Sequence, residues 1–99
     1  MDVIIRNVDF KMDVKLKDFV HEKLSKLNKF FDGIVSITAY LKLVNSGQVR
    51  DKEVEIKIIV PKETIIAHGT AKSFEAAMEH AIDVAKRNVK KYKEKLRMH

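Results

Sequence analysis

The pattern of apolar and polar positions divides the 99-residue chain into six stretches, each read as one element. Asp2 to Asn7 reads as a short strand with apolar residues on both faces, followed by a connection from Asn7 to Met12. Leu16, Phe19, Val20, Leu24, Leu27 and Phe30/Phe31 then recur at three- and four-residue steps, which predicts a helix from about Val14 to Phe31 with one apolar stripe. Asp13 is its expected N-cap, since its carboxylate can accept from free amides of the first turn. Gly33 is the expected stop, as a residue able to take positive φ.

From Ile34 to Val44 the period falls to two. Val35, Ile37, Ala39, Leu41 and Leu43 alternate with Ser36, Thr38, Tyr40 and Lys42, so one face of a strand is buried. Asn45-Ser46-Gly47-Gln48 supplies turn residues. Lys52 to Val60 alternates again, with Val54, Ile56, Ile58 and Val60 on one side, and Pro61-Lys62-Glu63 breaks it. Thr64 to Thr70 forms a further strand, with Ile65, Ala67 and Gly69 on one side and Ile66 and His68 on the other. Ser73 can cap a last helix, and Phe74, Ala77, Met78, Ala81, Ile82, Ala85, Val89, Tyr92 and Leu96 hold the helical period to its end. A helix from Ser73 to Leu96 would be about 36 Å long.

The order is therefore β-α-β-β-β-α. If strand one runs up, the first helix comes down and strand two runs up beside strand one through a crossover. Two tight turns bring strand three down and strand four up, and the second helix comes down. Both helices then run the same way over one face of a four-stranded sheet of order 1-2-3-4. The expected class is α+β, a two-layer sandwich with strand one parallel to strand two, the rest antiparallel, and one wet face.

Charge changes the picture more than composition does. The chain carries 20 Lys and Arg against 14 Asp and Glu, a net of +6. Residues 86–97 hold seven of the basic residues (Lys86, Arg87, Lys90, Lys91, Lys93, Lys95 and Arg97) and one acid, Glu94, so residues 1–85 are neutral as a block. A positive excess confined to one end points to a polyanionic partner. With the apolar stripes turned inward, Lys23, Lys26 and Lys29 of the first helix join Lys86, Arg87, Lys90, Lys91 and Lys93 of the second in one expected basic surface. Phosphates suit it, and Arg87 can contact them in bidentate fashion. The simpler account is that cations near helix C-termini oppose the macrodipole, with Asp83 and Arg87 paired at i,i+4. Two or three lysines satisfy a dipole, and seven exceed that need. Tyr92 is the one aromatic in the basic run and sits on the apolar stripe, so it is expected in the core and not against a base.

Candidate chemistry is sparse. There is no cysteine for a disulfide or a thiolate. His21, His68, His80 and His99 lack metal-ligand spacing, Glu53 and Glu55 share a wet strand face, and no phosphate-binding glycine loop or nucleophile elbow occurs. No catalysis, cofactor, metal or small-molecule substrate is expected. No apolar run approaches a membrane span and no signal peptide is read, so the expected compartment is the cytosol.

Several short pieces in a fixed order resemble the family of ribosome hibernation promoting factors and protein Y. They are Lys23-Leu24 with Lys26-Leu27, Phe31-Asp32 with Ile34, Leu41-Lys42-Leu43-Val44, Ile65 and Ala67, Ala76-Ala77 with Ile82-Asp83, and Arg87 with Lys91, Lys93 and Lys95. The resemblance spans nearly the full chain and implies the same β-α-β-β-β-α fold. It also implies binding to the small ribosomal subunit and the 70S ribosome, in the channel of messenger and transfer RNA. There the basic helix faces would meet 16S ribosomal RNA, block translation and preserve idle ribosomes. Carried over by position, Lys23, Lys26, Arg87, Lys91 and Lys93 are the implied contacts, while Lys29, Lys86 and Lys90 come from the helix-face argument alone. Ser73 stands where the family usually has a capping aspartate, Glu75 where an aromatic is common, and Asn88 where a glutamine usually follows the arginine. Residues 1–99 are expected to form one ribosome-binding domain, monomeric when free, without the C-terminal dimerisation domain of longer members. A general module for structured RNA and a protein-interaction domain for an acidic partner are the alternatives.

Overall fold

The computed structural model describes residues 2–8, 10–46 and 49–97. Six elements follow in order: β1 (Asp2–Val8), α1 (Val14–Phe30), β2 (Ser36–Ser46), β3 (Val49–Val60), β4 (Glu63–Ala71) and α2 (Phe74–Arg97). The sheet order is β1-β2-β3-β4, with β1 parallel to β2 and the other pairs antiparallel. The fold is α+β with the expected topology. The alternation of β4 is the clearest: Ile65, Ala67 and Gly69 are buried while Ile66, His68 and Thr70 face out.

The core lies between the sheet and the two helices. Val20, Leu24 and Leu27 enter it from α1, Ile37, Ala39 and Leu41 from β2, Val54, Ile56 and Ile58 from β3, and Ala77, Met78, Ala81, Ala85 and Val89 from α2. Both helix starts are capped as read: the Leu16 amide donates to Asp13 Oδ1 at 2.8 Å and the Ala76 amide to Ser73 Oγ at 3.1 Å. Gly69 has a packing reason. A Cβ there would lie 2.6 Å from the Ala81 nitrogen, so only a glycine lets α2 settle onto β4.

Five expectations are corrected. Helix α1 ends at Phe30, not Phe31, because Phe31 turns to an extended conformation (φ −154°, ψ 113°) with its amide on the Asn28 carbonyl at 3.3 Å. Gly33 is not left-handed. A Cβ there would lie 2.5 Å from Cζ of Phe31, so glycine makes room for that ring. Val35 is 56% exposed because the chain enters β2 through a loop, and Ile34 fills the core place instead. Leu96 is 51% exposed, lying one turn past Tyr92, which reaches the β3–β4 hairpin at the margin of the sheet. Phe30 is 38% exposed, since Phe31 takes the inward position. β1, β3 and β4 also run longer than read, whereas β2 keeps its length but starts two residues later and continues through Ser46, into the turn expected at Asn45–Gln48, which lies partly outside the described residues.

The β3–β4 hairpin turns on Pro61 and Lys62. Proline presets φ at the first turn position, and Lys62 takes φ 68° at the second, the φ pattern of a type II turn. Tyr92 is buried and its hydroxyl donates to the Pro61 carbonyl at 3.1 Å, tying α2 to this hairpin.

Candidate RNA-binding surface

Sheet order and strand direction make the two helices parallel, and side-chain contacts mark their common poles. At the N-terminal pole Phe10 stacks on Phe74, with centroids 4.7 Å apart and planes 18° apart. At the C-terminal pole Phe31 meets Tyr92 edge-on at 5.6 Å, and Lys93 Nζ donates to the Phe30 carbonyl at 3.3 Å. Both helices therefore bring their C-terminal ends to one end of the molecule.

Contacts along α2 define its two flanks. Glu79 and Lys93 face α1, through Lys23 and Phe30 respectively. His80, Asn88 and Lys95 face β4: His80 Nδ1 is 3.3 Å from the Thr70 carbonyl, Asn88 Nδ2 donates to the Ile66 carbonyl at 3.0 Å, and Lys95 is 3.5 Å from Glu63. Seven residues make nearly two turns. Lys86, midway between Glu79 and Lys93, thus shares the α1-facing flank, and so does Lys90, three residues before Lys93. Arg87, seven after His80, and Lys91, three after Asn88, lie on the β4 side of the crest. The expected single basic surface is divided along the ridge of α2. Lys23, Lys26, Lys86, Lys90 and Lys93 gather over the helix pair, Lys29 lies on the outward crest of α1, and Arg87 and Lys91 sit on the far shoulder of α2.

The eight cations also differ in engagement. Lys23 Nζ is 2.7 Å from Glu79 and stands 5.4 Å from the Phe19 ring centroid, Lys26 is 3.2 Å from Glu22, and Lys93 stands 5.2 Å from the Phe30 centroid. The hydrogen bond to Glu79 holds the Lys23 pKa above its ordinary value, with the charges of Glu79 and Glu22 adding to it. Among the described residues, Lys29, Lys86, Arg87, Lys90 and Lys91 have no carboxylate at salt-bridge distance, and all five are exposed. The expected Asp83–Arg87 pair is not formed, so Arg87 is available to a partner. Asn88 points at β4, and its shorter amide serves the fold.

Periodicity alone did not reveal two features of this surface. One is Glu79, an acid inside the basic interhelical face, whose role depends on which flank of α2 meets α1. The other is exposed Phe30, which lines an open cleft with Lys90, Lys93, Glu94 and Arg97. The opposite sheet face offers less. His68 Nε2 lies 2.6 Å from Glu55 Oε2, and among the described residues no group of three or more His, Cys, Asp or Glu is arranged to hold a metal. His99 lies outside them. No described helix is long and apolar enough to cross a membrane.

Residues 3–97 match the model of a family described as Sigma 54 modulation protein / S30EA ribosomal protein. The chain belongs to this family. Two similar proteins carry the name ribosome hibernation promoting factor. That of Klebsiella oxytoca is 29% identical over 99 residues, all of both chains. That of Pseudomonas putida is 28% identical over 95 residues, 96% of this chain and 89% of its own. Among solved structures, a ribosomal subunit interface protein from Coxiella burnetii superposes with a TM-score of 0.83 at 18% identity, covering 95% of this chain and 99% of that one. At that identity the likeness is one of fold, and it places this member of the Sigma 54 modulation / S30EA family in the β-α-β-β-β-α architecture derived above.

Proposed function

We propose that this protein is a ribosome hibernation factor. It acts in the cytoplasm, where residues 1–99 dock as one domain on the small ribosomal subunit, in the channel that carries messenger and transfer RNA. Basic side chains of both helices meet 16S ribosomal RNA, and the occupied channel keeps the 70S ribosome idle. The protein needs no cofactor and catalyses no reaction, and it is a monomer when free. The observation that carries this reading is the end-to-end match to a relative named ribosome hibernation promoting factor. Lys29, Lys86, Arg87, Lys90 and Lys91, exposed and without a carboxylate at salt-bridge distance among the described residues, supply what RNA phosphates require.

Sucrose-gradient sedimentation with purified ribosomes and separated subunits tests it. The protein should co-migrate with 30S and 70S particles at low salt and leave them as salt rises. If about 5–7 phosphates are neutralised, log affinity falls against log salt with a slope of roughly −4 to −6. A folded protein that binds no particle at any salt overturns the proposal. Binding to naked structured RNA without preference for the small subunit returns it to a general RNA-binding module.

A further inference from the structure

Phe30 is an aromatic side chain left out of the core at the pole where the cations gather. Its ring neighbour Phe31 packs on Tyr92, whereas Phe30 stays 38% exposed and lines the cleft with Lys90, Lys93, Glu94 and Arg97. Three of those four neighbours are cations that suit a phosphate chain passing over the cleft. The fourth, Glu94, repels a phosphate inside the cleft and suits a base edge bearing an exocyclic amino group. Lys93 holds Phe30 from both sides of its chemistry, with Nζ on the Phe30 carbonyl at 3.3 Å and 5.2 Å from the ring centroid. Lys93 is thus anchored beside the ring before any ligand arrives.

From this geometry we infer that Phe30 is a stacking platform for one unpaired base of RNA, with Lys90 and Arg97 on the flanking phosphates. The inference rests on the ribosome-binding reading and adds a position where the protein contacts a base and not only backbone. An aromatic face stacks on any base, and loss of one such stack weakens single-strand binding by roughly tenfold or more. Sequence specificity is not required of it.

The test compares wild type, Phe30→Leu, Phe30→Tyr and Lys90→Ala for binding to purified 30S subunits across a salt series, with thermal melts of each. Phe30→Leu keeps apolar bulk and removes the π face. It should bind about tenfold more weakly with an unchanged salt slope, because no phosphate contact is lost. Phe30→Tyr should bind like wild type. Lys90→Ala should flatten the salt slope by about one phosphate. If Phe30→Leu binds within twofold of wild type while Lys90→Ala weakens, the stacking inference falls and the ribosome reading stands, with an apolar protein side chain as the occupant to seek. If wild type fails to bind, both fall together.

Discussion

Lys23 of α1 and Glu79 of α2 meet across the helix pair at 2.7 Å, the one ion pair joining the two helices among the described residues. The family resemblance offers Lys23 as an RNA contact, yet in the free protein its ammonium is already taken. A phosphate arriving there must compete with a carboxylate set within the basic face. Glu79 therefore lowers the positive potential where Lys86 and Lys90 would raise it.

Glu79→Gln should tighten ribosome binding at low salt and steepen the salt dependence by up to about one phosphate, because it frees Lys23 and removes a negative charge. Weaker binding would show that the Lys23–Glu79 pair positions α2 for docking. The pH response follows from the raised Lys23 pKa. On the alkaline side, the contribution of Lys23 to stability is retained up to the ordinary lysine value of 10.5 and is lost as pH climbs through the raised value. Between about pH 6 and pH 9 Lys23 remains a cation, and its titration should leave binding unchanged.

The cations proposed to meet RNA differ from Lys95, which is engaged with Glu63 of β4. Alanine at both Arg87 and Lys91, or at both Lys86 and Lys90, should flatten the salt slope by roughly one per cation removed while leaving the melting temperature unchanged. Lys95→Ala should alter affinity less than twofold, since Lys95 points at β4 and lies 3.5 Å from Glu63. Equal losses from Lys95 and Lys90 would mean that net charge, and not a defined face, drives binding.

Gly69→Ala should be the most damaging small change in the sheet. The added methyl meets the α2 backbone at Ala77 and Ala81, and backbone cannot swing aside as a side chain can. A loss of about 3 kcal/mol is expected, read as a lower urea midpoint with little change in slope. A neutral result would show that α2 can lift from β4 at no cost.

Tyr92→Phe should keep ribosome binding and lose about 1 kcal/mol of stability, the contribution of its hydrogen bond to Pro61. Reduced binding with unchanged stability would move Tyr92 from the core to the RNA interface.

Element order, helix caps and sheet faces were legible in the sequence because each follows from contacts within a few residues of each other. The three-and-four spacing of Val20, Leu24 and Leu27 can bury only as a helix, and the alternation of Ile65, Ala67 and Gly69 only as a strand. Asp13 and Ser73 cap the turns immediately after them. The net charge of residues 86–97 is likewise a property of the chain itself. Tertiary structure decided where those charges point. Lys86 and Arg87 are neighbours in sequence, and they fall on opposite sides of the α2 crest because α1 packs on one flank and β4 on the other. Phe30 and Phe31 share one place in the apolar stripe, and the position of Tyr92, some sixty residues away, selects Phe31 for the core and leaves Phe30 in the cleft. Local periodicity assigns a side chain to a face of its own element, but only packing between distant elements determines whether that face meets protein, solvent or RNA.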